Sequence, residues 1–238
     1  MLIALMLSLG QAWAQTQWDG RLEWASDERS RGLSVSGEHP VWRASLNVDH
    51  DGGLYGGATA SISTGHQHDR ARQSLYAGYA AEVPDSALNW DAGAVAYRIQ
   101  QESTNRRQGY GEPYAGLHGR DWHMRLAYDI HYEGSTSPAT YLEFDQGYPL
   151  DHGWRLNAHT GWQHRWPRRE STPQPSLYNY AYGDAYDYST EEQDRDRLDL
   201  RLSIGTRHGD MLIGLSVEAA VSAHVTDTAA VLSLGWGF

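Results

Sequence analysis

In the stretch Ala230-Val231-Leu232-Ser233-Leu234-Gly235-Trp236-Gly237-Phe238 every even position is apolar, while the odd ones include Ser233, Gly235 and Gly237. A helix would distribute these residues around its whole circumference. An extended strand collects the even positions on one face and the odd positions on the other. One face then suits lipid and the other an aqueous interior.

The same period of two recurs through the chain. It predicts strands near 18–26, 40–49, 54–63, 73–82, 88–99, 112–119, 122–132, 140–150, 153–165, 197–207, 211–222 and 228–238. Connections after the even-numbered strands are compact and rich in turn formers, as in Asp49-His50-Asp51-Gly52-Gly53 and His208-Gly209-Asp210. Those after the odd-numbered strands are mostly longer and more polar, notably 27–39, 64–72, 100–111 and 166–196. The fold expected is all-β: a single transmembrane antiparallel β-barrel of about 12 strands, with short periplasmic turns and long extracellular loops. An even strand count lets the first and last strands meet and leaves no open edge. A soluble β-sandwich shares the alternation. The short/long asymmetry opposes it, as does the strand with Met211, Ile213, Leu215, Val217, Ala219 and Val221 on one face, long enough to cross a bilayer at a tilt.

Composition agrees. Beyond the amino-terminal segment no run approaches the ~18 apolar residues of a membrane helix. Met1 to Ala14 is apolar and closes in Ala12-Trp13-Ala14, the small-x-small pattern of a signal-peptidase site. A signal peptide over 1–14 and a barrel domain over 15–238 are therefore expected. No basic residue precedes the apolar run, so either this signal is atypical or translation starts further upstream. Cysteine is absent, which removes disulfides and thiolate metal sites. Lysine is absent too, and the formal net charge of −11 argues against a nucleic-acid partner.

Alternation also sorts the charged residues. In the tenth predicted strand Leu198, Leu200, Leu202 and Ile204 face one way, and Asp199, Arg201, Ser203 and Gly205 the other. An Arg facing lipid at mid-depth would cost about 2–4 kcal/mol, so the charged face belongs inside. The same phase puts Arg21, Glu23, Arg43, Asp91, Arg125, Asp129, Glu143, Asp145, Arg155 and Glu218 inside. Such a set either lines an aqueous pore, selecting permeants by charge, or pairs into a satisfied polar core that plugs the barrel. Twelve strands lie between barrels of about 8, which fill with side chains, and those of about 16–18, which leave a channel.

Ser26-Asp27-Glu28-Arg29-Ser30-Arg31-Gly32-Leu33-Ser34, then Pro40-Val41, then Gly53-Leu54-Tyr55-Gly56-Gly57, resembles the opening signature of the TorF family of porins. Tyr76-Ala77-Gly78-Tyr79, Asp91-Ala92-Gly93, Glu112 to Leu117, Tyr141-Leu142-Glu143 and the Gly235-to-Phe238 ending extend the resemblance over essentially the whole barrel domain. Its most specific part is the loop carrying Asp27, Arg31, Gly32 and Ser34. Glu28 and Ser30 depart from the aromatic or apolar residues expected there. The resemblance implies a passive outer-membrane channel without supplying a substrate; a porin-like channel for passive diffusion of small polar solutes or ions is the function expected, with no cofactor and no enzymatic activity. The ending on Trp236 and Phe238 resembles the assembly signal of outer-membrane proteins, which implies the barrel-assembly machinery as a partner beside outer-membrane lipid and lipopolysaccharide.

Within the loops, Arg31 and Asp27 are expected to form a local ion pair, with Gly32 allowing a sharp bend. Folding of this loop inward, to hold an anion at the mouth, is the alternative. Arg165, Arg168 and Arg169 form a basic collar suited to lipopolysaccharide phosphates. Tyr178 to Tyr188 reads as a hairpin turning at Gly183-Asp184, and Glu191, Glu192, Asp194 and Asp196 as a solvated face without calcium-loop spacing. His66, His68 and Asp69, the Asp129/His131 pair, and His164 are the residues from which a rim hydrolase or a zinc site would be built, but none sits in a recognised motif. No metal is expected. A non-conducting surface anchor is the alternative to a channel, and the oligomeric state stays open.

Overall fold

A strand with one apolar and one polar face can satisfy both lipid and water only if its backbone is paired on both edges, which calls for a closed sheet. A computed structural model describes residues 16–63, 70–101, 106–130, 138–166 and 195–238. Its twelve long antiparallel strands form a closed barrel. In chain order they are β1 (Thr16–Ala25) and, past the short β2 (Arg29–Ser30) and β3 (Leu33–Ser34) that take no part in the ring, β4 (Val41–His50), β5 (Leu54–Ser63), β6 (Arg70–Glu82), β7 (Asn89–Gln101) and β8 (Arg106–His118). There follow β9 (Trp122–Asp129), β10 (Ala139–Pro149), β11 (Trp154–Arg165), β12 (Asp196–His208), β13 (Met211–Ser222) and β14 (Thr226–Gly237). Each pairs with its neighbours in sequence, and β1 closes the ring on β14 with Arg21 opposite Gly237 and Ala25 opposite Ser233. Phe238 continues the seam: it exchanges backbone hydrogen bonds of 2.9 Å with Gly20 in both directions. A side chain at position 20 would meet the Phe238 ring, so this glycine makes room for the terminal aromatic.

The outward face is a belt. Leu22, Leu46, Leu75, Leu126, Leu200, Leu202, Leu215, Val217 and Leu232 are exposed around its middle. Trp18, Tyr79, Trp90, Tyr148, Trp154 and Trp236 ring the short-turn end, and Trp42, Tyr128, Trp162 and Trp166 ring the long-loop end. Paired aromatic girdles around an aliphatic band are the surface a bilayer demands and water would reject. This disposes of the soluble sandwich. Among the described residues no helix is long and apolar enough to cross a membrane; the strands cross instead.

Strand boundaries match the sequence expectation within a few residues, except that β9 stops at Asp129 and β8 begins earlier, at Arg106. The segment 1–14, the Tyr-rich stretch 178–188 and the acidic residues 191–194 lie outside the described residues.

Candidate functional site

The long connection from β1 to β4 does not stand away from the barrel. It forms a small ribbon, β2 (Arg29–Ser30) paired with β3 (Leu33–Ser34), whose two-residue turn is Arg31-Gly32. Both turn residues have positive φ, 51° and 77°, the pattern of a tight hairpin whose twist matches its strands. The tip lies against β12 and β13, two to three strands round the barrel from β1. A Cβ on Gly32 would come within 2.7 Å of the Asp199 Cβ and 2.8 Å of the Ala220 Cβ, so both the backbone angle and the space demand glycine.

One carboxylate organises the base of this hairpin. Asp27 Oδ1 accepts hydrogen bonds from Ser34 Oγ at 2.7 Å and Ser36 Oγ at 2.6 Å, and Oδ2 accepts one from Arg29 Nη1 at 3.0 Å. The buried Arg29 also donates to the Gly32 carbonyl and pairs with Asp227 at 2.6 Å. Burial opposes its charge, but Asp227 and Asp27 together hold the guanidinium above its ordinary pKa. Glu28 braces the hairpin: it meets Arg43 Nη2 at 2.9 Å and accepts from Ser61 Oγ at 2.7 Å.

The expected Asp27–Arg31 pair is not made. Arg31 crosses to β8, where Nη2 meets Glu112 Oε1 at 2.6 Å, and its guanidinium lies 4.4 Å from the Tyr141 ring centre on β10. Asp27 and Arg29, two residues apart on extended backbone, share a face, whereas Arg31 sits in the turn and points onward.

Below the hairpin the charged wall residues meet. Arg125 pairs with Glu143 at 2.5 Å and lies over the Tyr114 ring. His159 reaches Asp145 at 2.8 Å through Nδ1 and Asp199 at 2.9 Å through Nε2, and Arg201 stands 3.6 Å from Asp145. Asp91 Oδ2 accepts from Tyr55 Oη at 2.6 Å, while Oδ1 faces His123 Nε2 at 3.9 Å. Arg43 also pairs with Glu23, Arg155 with Asp121, and Glu218 accepts from Ser216 Oγ. Asp129 is buried in the wall near the long-loop rim. All these side chains turn to the interior.

Space remains between them. A cavity of about 860 Å³ opens toward the short turns, one of about 610 Å³ runs along β1 and β12 to β14, and one of about 360 Å³ lies directly beneath the hairpin. Arg201 lines all three. His123, Glu143 and Asp145 bring one possible metal-ligand atom each within 4.8 Å of one another. Arg125 and His159 already occupy the two carboxylates, which makes the set a poor cation site.

The model of a family described as "bacterial protein of unknown function (Gcw_chp)" matches residues 18–184, a span that includes the whole hairpin. The chain belongs to the Gcw_chp family. No curated protein matches it. Among solved structures, the KdgM porin aligns with a TM-score of 0.53 at 9% identity, covering 94% of this chain and 99% of that one. The NanC porin aligns with a TM-score of 0.52 at 12% identity, covering 93% and 98%. At such identities the likeness concerns the fold, and it is the fold of porins.

In this Gcw_chp barrel three interior residues, His159, Glu112 and Asp227, join the charged set expected from the alternation. His159 was legible in principle, since it shares the phase of Arg155 on β11. Glu112 and Asp227 were not, because their partners Arg31 and Arg29 come from a distant hairpin. Of the residues considered for catalysis, His66, His68, Asp69 and His131 lie outside the described residues. His164 packs edge-on against Trp166 in the outward girdle and contacts Asp196 at 2.9 Å, away from the interior. Arg165 continues the inward phase of Gln163 and so joins no outward collar, and Arg168 and Arg169 lie outside the described residues.

Proposed function

We propose that the chain is an outer-membrane channel through which small polar solutes or ions diffuse passively, narrowed by its own β2–β3 hairpin. The observation that carries this reading is the space left around the hairpin: cavities of about 860, 610 and 360 Å³ that share Arg201 instead of a solid core. Residues Arg43, Asp91, Arg125, Glu143, Asp145, Arg155, Asp199, Arg201 and Glu218 would form the polar lining, with Asp129 supporting the rim. The resemblance of Asp27 to Ser34 to the TorF porins points the same way. So does the KdgM porin, which has been solved in complex with disordered oligogalacturonate.

In this reading residues 1–14 direct export, and the girdles seat the barrel among lipid and lipopolysaccharide. Trp236 and Phe238 present the seam strand to the assembly machinery. Both side chains are exposed on the outward face, where such a contact is possible.

One observation favours a second reading, a non-conducting anchor. Around the hairpin Asp27, Glu28, Glu112 and Asp199 are buried and paired, as in a satisfied polar plug. Single-channel recording of the refolded barrel in a planar bilayer separates the two, with heat-modifiable gel migration as the check on folding. Discrete, salt-dependent current steps are expected of the channel. A folded barrel that stays silent is the anchor.

A further inference from the structure

The chain is acidic, with a formal net charge of −11, and a lumen that followed the average would favour cations. The lumen does not follow it. Asp and Glu have short stems and keep their charge near the wall, where neighbouring donors hold it. Arg has a long stem and carries its charge out to the water. Away from the hairpin base, where Arg29 is buried, the guanidinium is the more exposed partner of its pair: Arg125 is 35% exposed against 10% for Glu143, and Arg43 is 31% exposed against 10% for Glu28. Arg201, which borders all three cavities, is 44% exposed. Among the described residues Asp145, 38% exposed, is the carboxylate paired with it, at 3.6 Å, and His159 also bonds that carboxylate.

A pair oriented this way is neutral at a distance but not up close. A solute on the lumen axis meets the guanidinium first, and Coulomb energy falls with separation. Guanidinium groups also present paired donors that match an oxyanion.

We propose that the lumen admits small anions in preference to cations, carboxylates above all, with Arg43, Arg125 and Arg201 as the groups they touch. This rests on the channel reading and gives it a substrate class.

The test is the reversal potential of the refolded full barrel in a planar bilayer under a potassium chloride gradient. We expect a chloride-to-potassium permeability ratio of about 3, falling to about 1 in the Arg125→Gln/Arg201→Gln variant. Arg201→Gln alone, which leaves the Arg125–Glu143 pair intact, should move the ratio part of the way and guards against a folding defect in the double variant. Succinate added to both chambers should reduce the chloride current, and the double variant should lose that block. A ratio at or below one in an open wild-type channel overturns the proposal while leaving the channel standing. Absence of block by succinate overturns its carboxylate half. A folded barrel without current overturns the channel reading and this proposal with it.

Discussion

At the level of the hairpin Arg29 is 1% exposed and tied to Asp27, to Asp227 and to the Gly32 carbonyl. Toward the short turns Arg155 is 47% exposed, and its pair with Asp121, at 3.3 Å, stands in the open vestibule. The two belong to one lumen and one residue type, yet the first is structural and the second faces the solvent path. What separates them is the hairpin. Where it folds in, water is displaced and every charge needs a partner; where it stops, arginines keep their hydration and, in the proposed channel, would meet the solute.

The largest effect on stability is expected at the hairpin base. Asp27→Ala strips Ser34, Ser36 and Arg29 of their common acceptor and should cost about 3–5 kcal/mol, because a buried charge loses half its compensation. It should appear as a clear drop in the temperature at which the barrel loses its compact gel migration. Gly32→Val comes next. A branched residue at φ 77°, facing the Asp199 and Ala220 Cβ atoms, should cost about 1–3 kcal/mol in backbone strain alone and unseat the tip. Single-channel conductance should then rise, and an unchanged current would mean that the hairpin is not the constriction.

Smaller still is the crossing contact. A double-mutant cycle with Arg31→Ala and Glu112→Gln should give a coupling of about 0.5–3 kcal/mol in thermal unfolding; additive losses would deny that the pair is made. Arg155→Gln should cost under about 1 kcal/mol, since an exposed pair contributes little to stability. If Arg155→Gln proved as damaging as Asp27→Ala, the distinction between the two levels would be gone.

The barrel was legible because its signals are local. Period-two alternation, turn residues and alternating loop lengths each lie within a few residues of one another, and the seam at Trp236 and Phe238 shows the same pattern as the interior strands. The charged interior followed from the same phase, from Arg21 on β1 to Glu218 on β13. The path of the hairpin was not legible. Its tip is fixed by Asp199 and Ala220 on β12 and β13 and by Glu112, 81 residues from Arg31, and nothing in the spacing of 27–39 reports those partners. Pairing Asp27 with Arg31 was reasonable for a free loop; in an extended ribbon the i,i+2 neighbour Arg29 takes the place.

The proposed constriction depends on the tip of the hairpin standing in the lumen. The chain has no cysteine, so Arg31→Cys introduces a single thiol at that tip. A bulky, membrane-impermeant thiol reagent added during single-channel recording should lower the current of this variant in discrete steps and leave the wild type untouched. A variant that is labelled, as mass spectrometry would show, but whose current does not change would place position 31 outside the conducting path and contradict the account.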